Sequence, residues 1–329
     1  MAVDGTGLVL EKETMPHPFR FGVQIGNLPP DSWQADARRI EEMGYGTLFL
    51  PDHFGTQWDP TTALAGLAAA TKRIKVGSLV YDVDYRHPVV FAKAAATLQV
   101  MSGGRHEFGI GAGWMETDYV EAGLPYDRPG IRISRLEEAL EIITSMWTKE
   151  RSSFEGRYYS TNEIAQATEL HGISPPPILI GGGGPRLLRL AGRYANIVGI
   201  NPKLVEGKVT AQTPADSSPD RIRKKIGWVR EGAIEAGRDP EAIEFNSLTF
   251  VTAISDDVSG LRNGLAKSSG MTVEEVANCP LFLTGSAQEI RDRLETQREE
   301  TGINYIVIQG GDPNLLERFA KEILEPLQG

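Results

Sequence analysis

Short apolar runs alternate with longer amphipathic segments along most of the chain. Several runs are β-branched and almost continuously apolar, which is typical of parallel strands covered on both faces. The segments between them repeat apolar residues at helical spacing. The predicted strands are Phe19–Ile25, Thr47–Pro51, Ile74–Val80, His106–Gly111, Ile178–Ile180, Asn196–Ile200, Ile243–Phe250 and Tyr305–Gln309.

Capping residues predict where several helices begin and end. The segment Asp31–Met43 stops before a glycine, which suits a helix C-terminus. Pro88–Met101 begins with a proline in its first turn. Ser134–Trp147 begins with a serine that has Glu137 three positions later, the pattern of a capping box. A last helix is expected over Pro313–Leu324.

Eight successive strand-then-helix units predict an α/β protein with the (β/α)8 TIM-barrel fold. A doubly wound sheet is the alternative, but the first turn after a strand, GNLPPDSW, lacks a glycine-rich phosphate loop. The later stretch GIGAGW places Trp114 where a dinucleotide fingerprint needs its third glycine. These two observations favour the barrel.

The expected organisation is a flexible tail over residues 1–17 and one catalytic barrel domain over residues 18–329. Longer connections interrupt the regular pattern near 148–177, 203–219 and 255–283. The first contains FEGRYYS, which suggests a small hairpin, and the third suggests short helices. The second is polar without periodicity, which is typical of a loop or lid.

The composition limits which partners the protein can bind and in which cell compartment it is expected. The net charge is −10, which argues against a nucleic-acid partner because phosphate binding needs a basic surface. The sequence holds one cysteine, Cys279, so no internal disulfide forms and a cytoplasmic location is expected. No apolar stretch is long enough for a membrane span, and no His or Cys pair has the spacing of a metal site.

Four glycines follow the fifth predicted strand, in the stretch ILIGGGGPRLLRL. Glycine lets backbone amides approach a ligand closely, and a helix N-terminus adds unpaired donors and the positive end of its dipole. Together these features predict a phosphate site. The alternative is a tight turn that strand and helix need for close packing. The residues of this predicted site are Gly181, Gly182, Gly183, Gly184 and Pro185.

Other candidate residues follow the second, third and fourth predicted strands, at the end of a barrel where active sites lie. Asp52 and His53 suit proton transfer, because histidine titrates near neutral pH and a neighbouring carboxylate tunes it. Capping and packing roles are the alternative. Strand position also places Ser78, Tyr81, Asp82, Tyr85, His87, Gly111, Gly113 and Trp114 near this mouth, and His106 at the opposite, stabilising end.

The combination of FRFGVQ, GYGTLFLPDHF, YRHPVVFAKAAATLQVMSGGR, FGIGAGWMETDY and PPPILIGGGG resembles the bacterial-luciferase-like superfamily, and its branch that uses the deazaflavin coenzyme F420. The resemblance implies hydride transfer, with the glycines at the cofactor phosphate and Asp52 and His53 facing the cofactor. It places a non-prolyl cis peptide at Ser78-Leu79 and an aromatic substrate contact at Trp58. It also leaves a homodimer open.

The resemblance does not extend to every functional position. F420-dependent glucose-6-phosphate dehydrogenases carry a catalytic glutamate where this chain has Trp114, which argues against oxidation of a sugar phosphate. We expect an F420-dependent reductase that acts on an electron-poor C=C or C=N bond of a small molecule. The alternatives are an FMN-dependent monooxygenase supplied by a separate reductase and a non-catalytic cofactor-binding protein. Arg186, Lys203 and Lys208 are candidates for the cofactor's acidic tail.

Overall fold

The computed structural model describes residues 17–202, 215–279 and 281–328, so most of the predicted tail and residues 203–214 of the predicted lid lie outside the described chain. In chain order the strands are β1 (Arg20–Gln24), β2 (Thr47–Leu50), β3 (Lys75–Ser78), β4 (Tyr81–Asp82), β5 (His106–Gly111), β6 (Arg151–Glu155), β7 (Ser160–Ala165), β8 (Ile178–Gly182), β9 (Ile197–Ile200), β10 (Glu244–Thr249), β11 (Val251–Ile254), β12 (Phe282–Gly285) and β13 (Ile303–Gln309).

Eight parallel strands close into a barrel. The order around it is β1, β2, β3, β5, β8, β9, β10 and β13, and β13 pairs with β1 to complete the ring. The eight predicted strands are these eight, so the TIM-barrel prediction is confirmed. The doubly wound alternative is wrong, because an open sheet would leave two strand edges without a partner.

Helices cover the outside of the barrel. They are α1 (Trp33–Glu42), α2 (Pro60–Ala70), α3 (Pro88–Met101), α4 (Glu116–Ala122), α5 (Pro129–Thr148), α6 (Pro185–Tyr194), α7 (Pro219–Glu235), α8 (Val258–Ser269), α9 (Val273–Asn278), α10 (Ala287–Thr301), α11 (Pro313–Phe319) and α12 (Glu325–Gln328). A π-helical turn, Ala320–Leu324, joins the last two. None of these described helices is long and apolar enough to cross a membrane.

One predicted helix start is wrong. Helix α5 begins at Pro129, five positions before Ser134, so Ser134 lies inside the helix. Its hydroxyl donates to the Gly130 carbonyl oxygen at 3.1 Å instead of capping an amide. Proline is well suited to the first helical turn, and here it outweighs the local resemblance to a capping box.

The inserted connections contain the predicted local structure and one unexpected feature. Strands β6 and β7 form the hairpin that FEGRYYS suggested, and α8 and α9 are the predicted short helices. Strands β11 and β12 pair in parallel outside the barrel, which the sequence did not indicate. They pack with a small apolar cluster that includes the buried Cys279.

A buried ionic cluster closes the N-terminal end of the barrel. Glu107 is fully buried, and both Arg20 and Lys75 form ion pairs with it. The Tyr305 hydroxyl donates to the same carboxylate at 2.9 Å. Burial opposes ionisation of Glu107, but the two cations outweigh it and lower its pKa. Described side chains fill this end of the barrel, and active sites in this fold lie at the other end.

Candidate active site at the barrel mouth

Asp52 is held in a buried ion pair directly after β2. Its carboxylate accepts from Arg86 through two contacts, at 2.6 and 3.0 Å, and from the Asp82 amide at 3.0 Å. Burial raises the pKa of Asp52, and Arg86 opposes that rise. Arg86 also donates to Asp59 at 2.8 Å. Asp52 therefore joins the loop after β2 to the loop after β4, and both of its oxygens are engaged.

His53 forms a pair with a carboxylate from a different part of the chain. Its Nδ1 lies 2.6 Å from Oδ2 of Asp118, in the first turn of α4. The Tyr85 hydroxyl donates to the same oxygen at 3.3 Å. A carboxylate next to Nδ1 keeps a proton on that nitrogen, which leaves Nε2 as the ring atom that can exchange a proton.

Aromatic side chains flank this pair at the mouth. The Trp114 ring lies edge-on to His53, with centroids 5.6 Å apart. The Phe54 and Tyr85 rings pack together, with their centroids 4.5 Å apart. Phe54 and Trp114 are 42% and 43% exposed, so this wall presents apolar surface to solvent. We call Asp52, His53, Arg86 and Asp118, with this aromatic wall, the His53 side of the mouth.

A second polar layer supports the His53 side from behind. The Tyr119 hydroxyl donates to the Asp82 carboxylate at 2.8 Å. Arg135 binds Asp84, two positions later, through two nitrogens at 2.7 and 2.8 Å. Burial raises the pKa of Asp82 to about 6. Gly113 has φ +69°, and a Cβ there would lie 2.0 Å from the Tyr119 hydroxyl oxygen. This close approach explains the glycine before Trp114.

The cis peptide lies one bond later than the resemblance placed it. It joins Leu79 to Val80, and the Ser78-Leu79 bond is not cis, so that prediction is wrong by one position. Ser78 is fully buried, and its hydroxyl donates to the Leu50 carbonyl at 3.1 Å. A Cβ on Gly111 would come within 2.8 Å of Val80, so Gly111 makes room for this segment.

The glycines after β8 have different reasons to lack a side chain. Gly181 and Gly182 belong to the strand. A Cβ on Gly183 would lie 2.6 Å from the Asn201 carbonyl oxygen, so close backbone packing requires glycine there. A Cβ on Gly184 would have no described atom within 4 Å. Packing thus accounts for Gly183 but not for Gly184.

Gly184 is the N-cap of α6, and its conformation, φ −100° and ψ 153°, is open to any residue. No described side chain caps the helix at this position, and the first amides of a helix lack partners within it. We call Gly181–Gly184 and the first turn of α6 the glycine edge. The Arg186 side chain turns toward α5, where it donates to Gly130 and Ser134. Lys203 and Lys208 lie outside the described residues.

The candidate residues occupy adjacent strands. Strands β2, β3, β5 and β8 are consecutive around the barrel. Their C-terminal ends therefore bring the His53 side, the Leu79-Val80 segment and the glycine edge to one half of the mouth. This arrangement fits a cofactor with a planar ring near the first two and a phosphate at the third.

One predicted residue lies elsewhere, and two others make packing or capping contacts of their own. Tyr81 is 3% exposed and packs on Phe91 and Phe108 behind the barrel wall, so its predicted position at the mouth is wrong. Strand alternation explains this, because it turns Tyr81 toward the helices. His87 caps α3 by accepting from the Val89 amide at 3.3 Å. Trp58 packs edge-on against Trp33 near the start of α2.

Two residues that contact the candidate pair were not predicted from the sequence. Asp118 lies 65 positions after His53, and Arg86 lies 34 positions after Asp52. Asp118 sits within the motif FGIGAGWMETDY, in the first turn of a helix that follows a strand end. An acidic residue in that position could have marked Asp118 as a candidate, but it does not reveal that Asp118 contacts His53.

Comparison with known proteins agrees with the fold. The luciferase-like monooxygenase family model matches residues 17–265. An F420-dependent glucose-6-phosphate dehydrogenase of Microbacterium testaceum (strain StLB037) is 34% identical over 241 residues, which cover 70% of this chain and 67% of that protein. The enzyme of the same name from Amycolatopsis mediterranei (strain U-32) is 32% identical over 323 residues, 89% of this chain and 93% of that one.

A solved structure shows the same architecture. The coenzyme F420 dependent tetrahydromethanopterin reductase from Methanopyrus kandleri superposes with a TM-score of 0.74 at 21% identity. The match covers 94% of this chain and 100% of that one.

Proposed function

Because the chain belongs to the luciferase-like monooxygenase family, we propose that it is an F420-dependent reductase. It acts on an electron-poor C=C or C=N bond of a small, uncharged organic molecule. The observation that carries this proposal is the His53–Asp118 pair, which lies 2.6 Å apart at the mouth beside an exposed aromatic wall. The F420-dependent relatives support the choice of cofactor.

The described residues fit such a cofactor. Gly184 leaves open space beside the first turn of α6, where uncapped amides and the helix dipole favour a phosphate. The segment around Leu79 and Val80 would lie against the ring. When bound, F420 supplies a hydride equivalent, which makes the reaction a two-electron transfer.

His53 supplies the proton that accompanies a hydride. Asp118, which accepts from the Tyr85 hydroxyl, fixes the ring through Nδ1, so the proton leaves from Nε2. Burial, followed by the nearby charges of Asp82 and Asp118, raises the pKa of Tyr85, so its phenol stays neutral and continues to donate to Asp118. Asp118 is thus a positioning residue, and His53 is the proton donor.

Asp52 acts through position rather than through proton transfer. Its two oxygens are engaged by Arg86 and by the Asp82 amide. It precedes His53 directly, so this ion pair fixes the backbone from which the His53 ring extends. Truncating either partner would leave an uncompensated buried charge.

The described charges near the mouth favour an uncharged substrate. Arg86 is paired with Asp52 and Asp59, and Arg135 with Asp84 and Asp127. Arg132 donates to the carbonyl oxygens of Ala112, Gly113 and Asp127. These cations are already engaged, so a sugar phosphate would have to displace existing pairs. Phe54, Tyr85 and Trp114 instead offer an apolar, aromatic surface.

We also propose a separate reductase, a homodimeric state and a cytoplasmic location for this protein. A separate enzyme would regenerate the reduced cofactor, and the chain would act as a homodimer. A cytoplasmic location is consistent with the lone, buried Cys279. Gel filtration of the purified chain tests the dimer.

The test of this function is anaerobic oxidation of reduced F420 by a panel of neutral acceptors, including 2-cyclohexen-1-one, a quinone and a cyclic imine. Absorbance of the deazaflavin reports turnover. Glucose 6-phosphate with oxidised F420 is the comparison reaction. We expect turnover with at least one neutral acceptor and none with the sugar phosphate. Turnover of glucose 6-phosphate alone would contradict the proposed direction and substrate class.

A further inference from the structure

Two glutamines form a hydrogen-bonded pair at the barrel mouth, at the last positions of β1 and β13. Gln24 is 3% exposed, whereas Gln309 is open to solvent. We propose that Gln309 recognises the substrate by accepting a hydrogen bond from an N–H or O–H group next to its electron-poor double bond. This inference rests on the proposed function, and it narrows the substrate class to molecules that carry such a donor.

The Gln309 side chain lies on the inward face of β13. Tyr305 and Val307 belong to a buried cluster with residues of β2, β8 and β9. These strands lie on opposite sides of the ring, so the cluster fills the barrel interior. Successive side chains of a strand alternate between its two faces, so Gln309 shares the inward face of Tyr305 and Val307.

Gln24 connects Gln309 to the segment proposed to lie against the cofactor ring. Gln24 and Gln309 are partners in the register of β1 and β13. The Nε2 group of Gln24 donates to the Leu79 carbonyl oxygen, and its Oε1 accepts from Nε2 of Gln309 at 3.2 Å. This chain of two hydrogen bonds holds the Gln309 amide in a defined orientation.

The Leu79 carbonyl sets the direction of both amides. A carbonyl oxygen only accepts, so Gln24 turns its NH2 group toward Leu79 and presents its oxygen to Gln309. Gln309 then donates through its own NH2 group, which turns its Oε1 away from Gln24. That oxygen has no hydrogen-bond partner among the residues that the structure describes. The mouth thus offers one oriented, uncharged acceptor.

The position of Gln309 favours the substrate over the cofactor as its ligand. Strand β2, which His53 follows, lies between β1 and β3 in the ring, and β13 lies on the far side of β1. The glycine edge follows β8, on the other side of β3. Gln309 is therefore outside the half of the mouth proposed for the cofactor and on the other flank of His53.

Succinimide is the binding probe, and N-methylsuccinimide is the matched ring without the N–H donor. Calorimetry measures both dissociation constants for the full chain, with and without saturating oxidised F420. In both states we expect succinimide to bind at least about fivefold more tightly, which is the scale of one hydrogen bond. Equal affinities, or no saturable binding of succinimide at millimolar concentration, would overturn the inference.

Two substitutions assign this preference to Gln309. Gln309→Leu removes the acceptor, and Gln309→Lys removes it while its ammonium group can still donate to Gln24. Both should reduce the preference for succinimide to less than about twofold. Gln288→Leu, at an exposed position on α10, is the matched control and should keep the preference. A preference that survives in both Gln309 variants would overturn the inference, and so would a parallel loss of F420 affinity.

Turnover distinguishes this inference from the proposed function. Reduction of the maleimide C=C bond by one hydride and one proton gives succinimide and leaves the cofactor oxidised. The wild type should have a higher kcat/KM for maleimide than for N-methylmaleimide, and Gln309→Leu should lose this difference. Selective succinimide binding without turnover of any acceptor would contradict the proposed reaction but support the role of Gln309. Turnover of both maleimides with equal kcat/KM would overturn only the role of Gln309.

Discussion

One side of the barrel mouth is formed by side chains, and the other is formed by the main chain. On the His53 side, charged and aromatic side chains from β2, the loop after β4 and α4 hold one another in place. At the glycine edge, the main chain at the end of β8 and the start of α6 faces the mouth without side chains. The first side suits proton transfer, and the second suits recognition of a phosphate.

This difference predicts different responses to mutation. A change on the His53 side should alter turnover or pH dependence while the cofactor still binds. A change at the glycine edge should alter cofactor affinity while the reaction of the bound cofactor continues. Three substitutions test this separation, and a fourth tests the polar layer behind the His53 side. They follow from the largest expected effect to the smallest.

His53→Gln should lower kcat by about 10²- to 10⁴-fold, because general acid catalysis contributes on that scale. The dissociation constant of F420 should change less than about threefold. Steady-state kinetics and a fluorescence titration of the cofactor measure the two quantities. His17→Gln, an exposed histidine at the start of the described chain, is the control. An unchanged kcat in His53→Gln would remove the proton-donor role.

Asp82→Asn should change the pH dependence of stability. Burial raises the pKa of Asp82 to about 6, above an ordinary value near 3.9. The folded chain then binds this proton more tightly than the unfolded chain, so the free energy of unfolding falls as pH rises from about 4 to about 6. A shift of roughly two units corresponds to at most about 3 kcal/mol.

Urea unfolding of the wild type and Asp82→Asn at pH 4, 5, 6 and 7 measures this effect. The wild type should lose stability relative to the variant across that range, because asparagine does not titrate. Parallel stability curves for the two proteins would show that Asp82 keeps an ordinary pKa.

Gly184→Asp should weaken F420 binding by about 30-fold, because a carboxylate at the start of α6 would repel the phosphate by up to about 2 kcal/mol. Aspartate is a good N-cap and the position has room for it, so the thermal midpoint should stay the same or rise. Gly184→Asn has a similar shape without the charge and should bind F420 more tightly than the aspartate variant. Equal affinities of the two variants would place the phosphate elsewhere.

Asp118→Asn should lower kcat by roughly tenfold. The substitution removes a charge-assisted hydrogen bond to His53 worth about 1.5 kcal/mol, while the shape is kept. Asp118→Glu should recover part of the rate if it reaches Nδ1. The measurements are kcat and the dissociation constant of F420, and the dissociation constant should change less than about threefold. An equal loss of cofactor affinity would indicate a merely structural role.

The sequence predicts the barrel well because each strand of the barrel is specified by residues that are neighbours in the chain. Each barrel strand is a contiguous apolar run, and the glycine edge is four consecutive letters. The start of α5 was wrong because Ser134 and Glu137 resemble a capping box, while Pro129 begins the helix earlier. Strands β11 and β12 were missed as a pair because they lie far apart in the chain.

Only half of the His53 side was predicted, because its other half consists of residues that are distant in the chain. Asp52 and His53 are adjacent letters at a strand end, and their positions were anticipated. Their partners Arg86 and Asp118 approach only when the barrel closes, so no spacing rule reveals them. Tyr81 was placed on the wrong face because the irregular Leu79-Val80 segment interrupts the count of alternating side chains.

Parallel titration of the purified chain with F420 and with FMN, each oxidised and reduced, tests the central claim most directly. Cofactor fluorescence or heat reports the dissociation constants. The proposed function predicts micromolar or tighter binding of F420 and much weaker binding of FMN. Tighter binding of FMN, or binding of neither cofactor, would contradict the assignment of the barrel mouth as an F420 site.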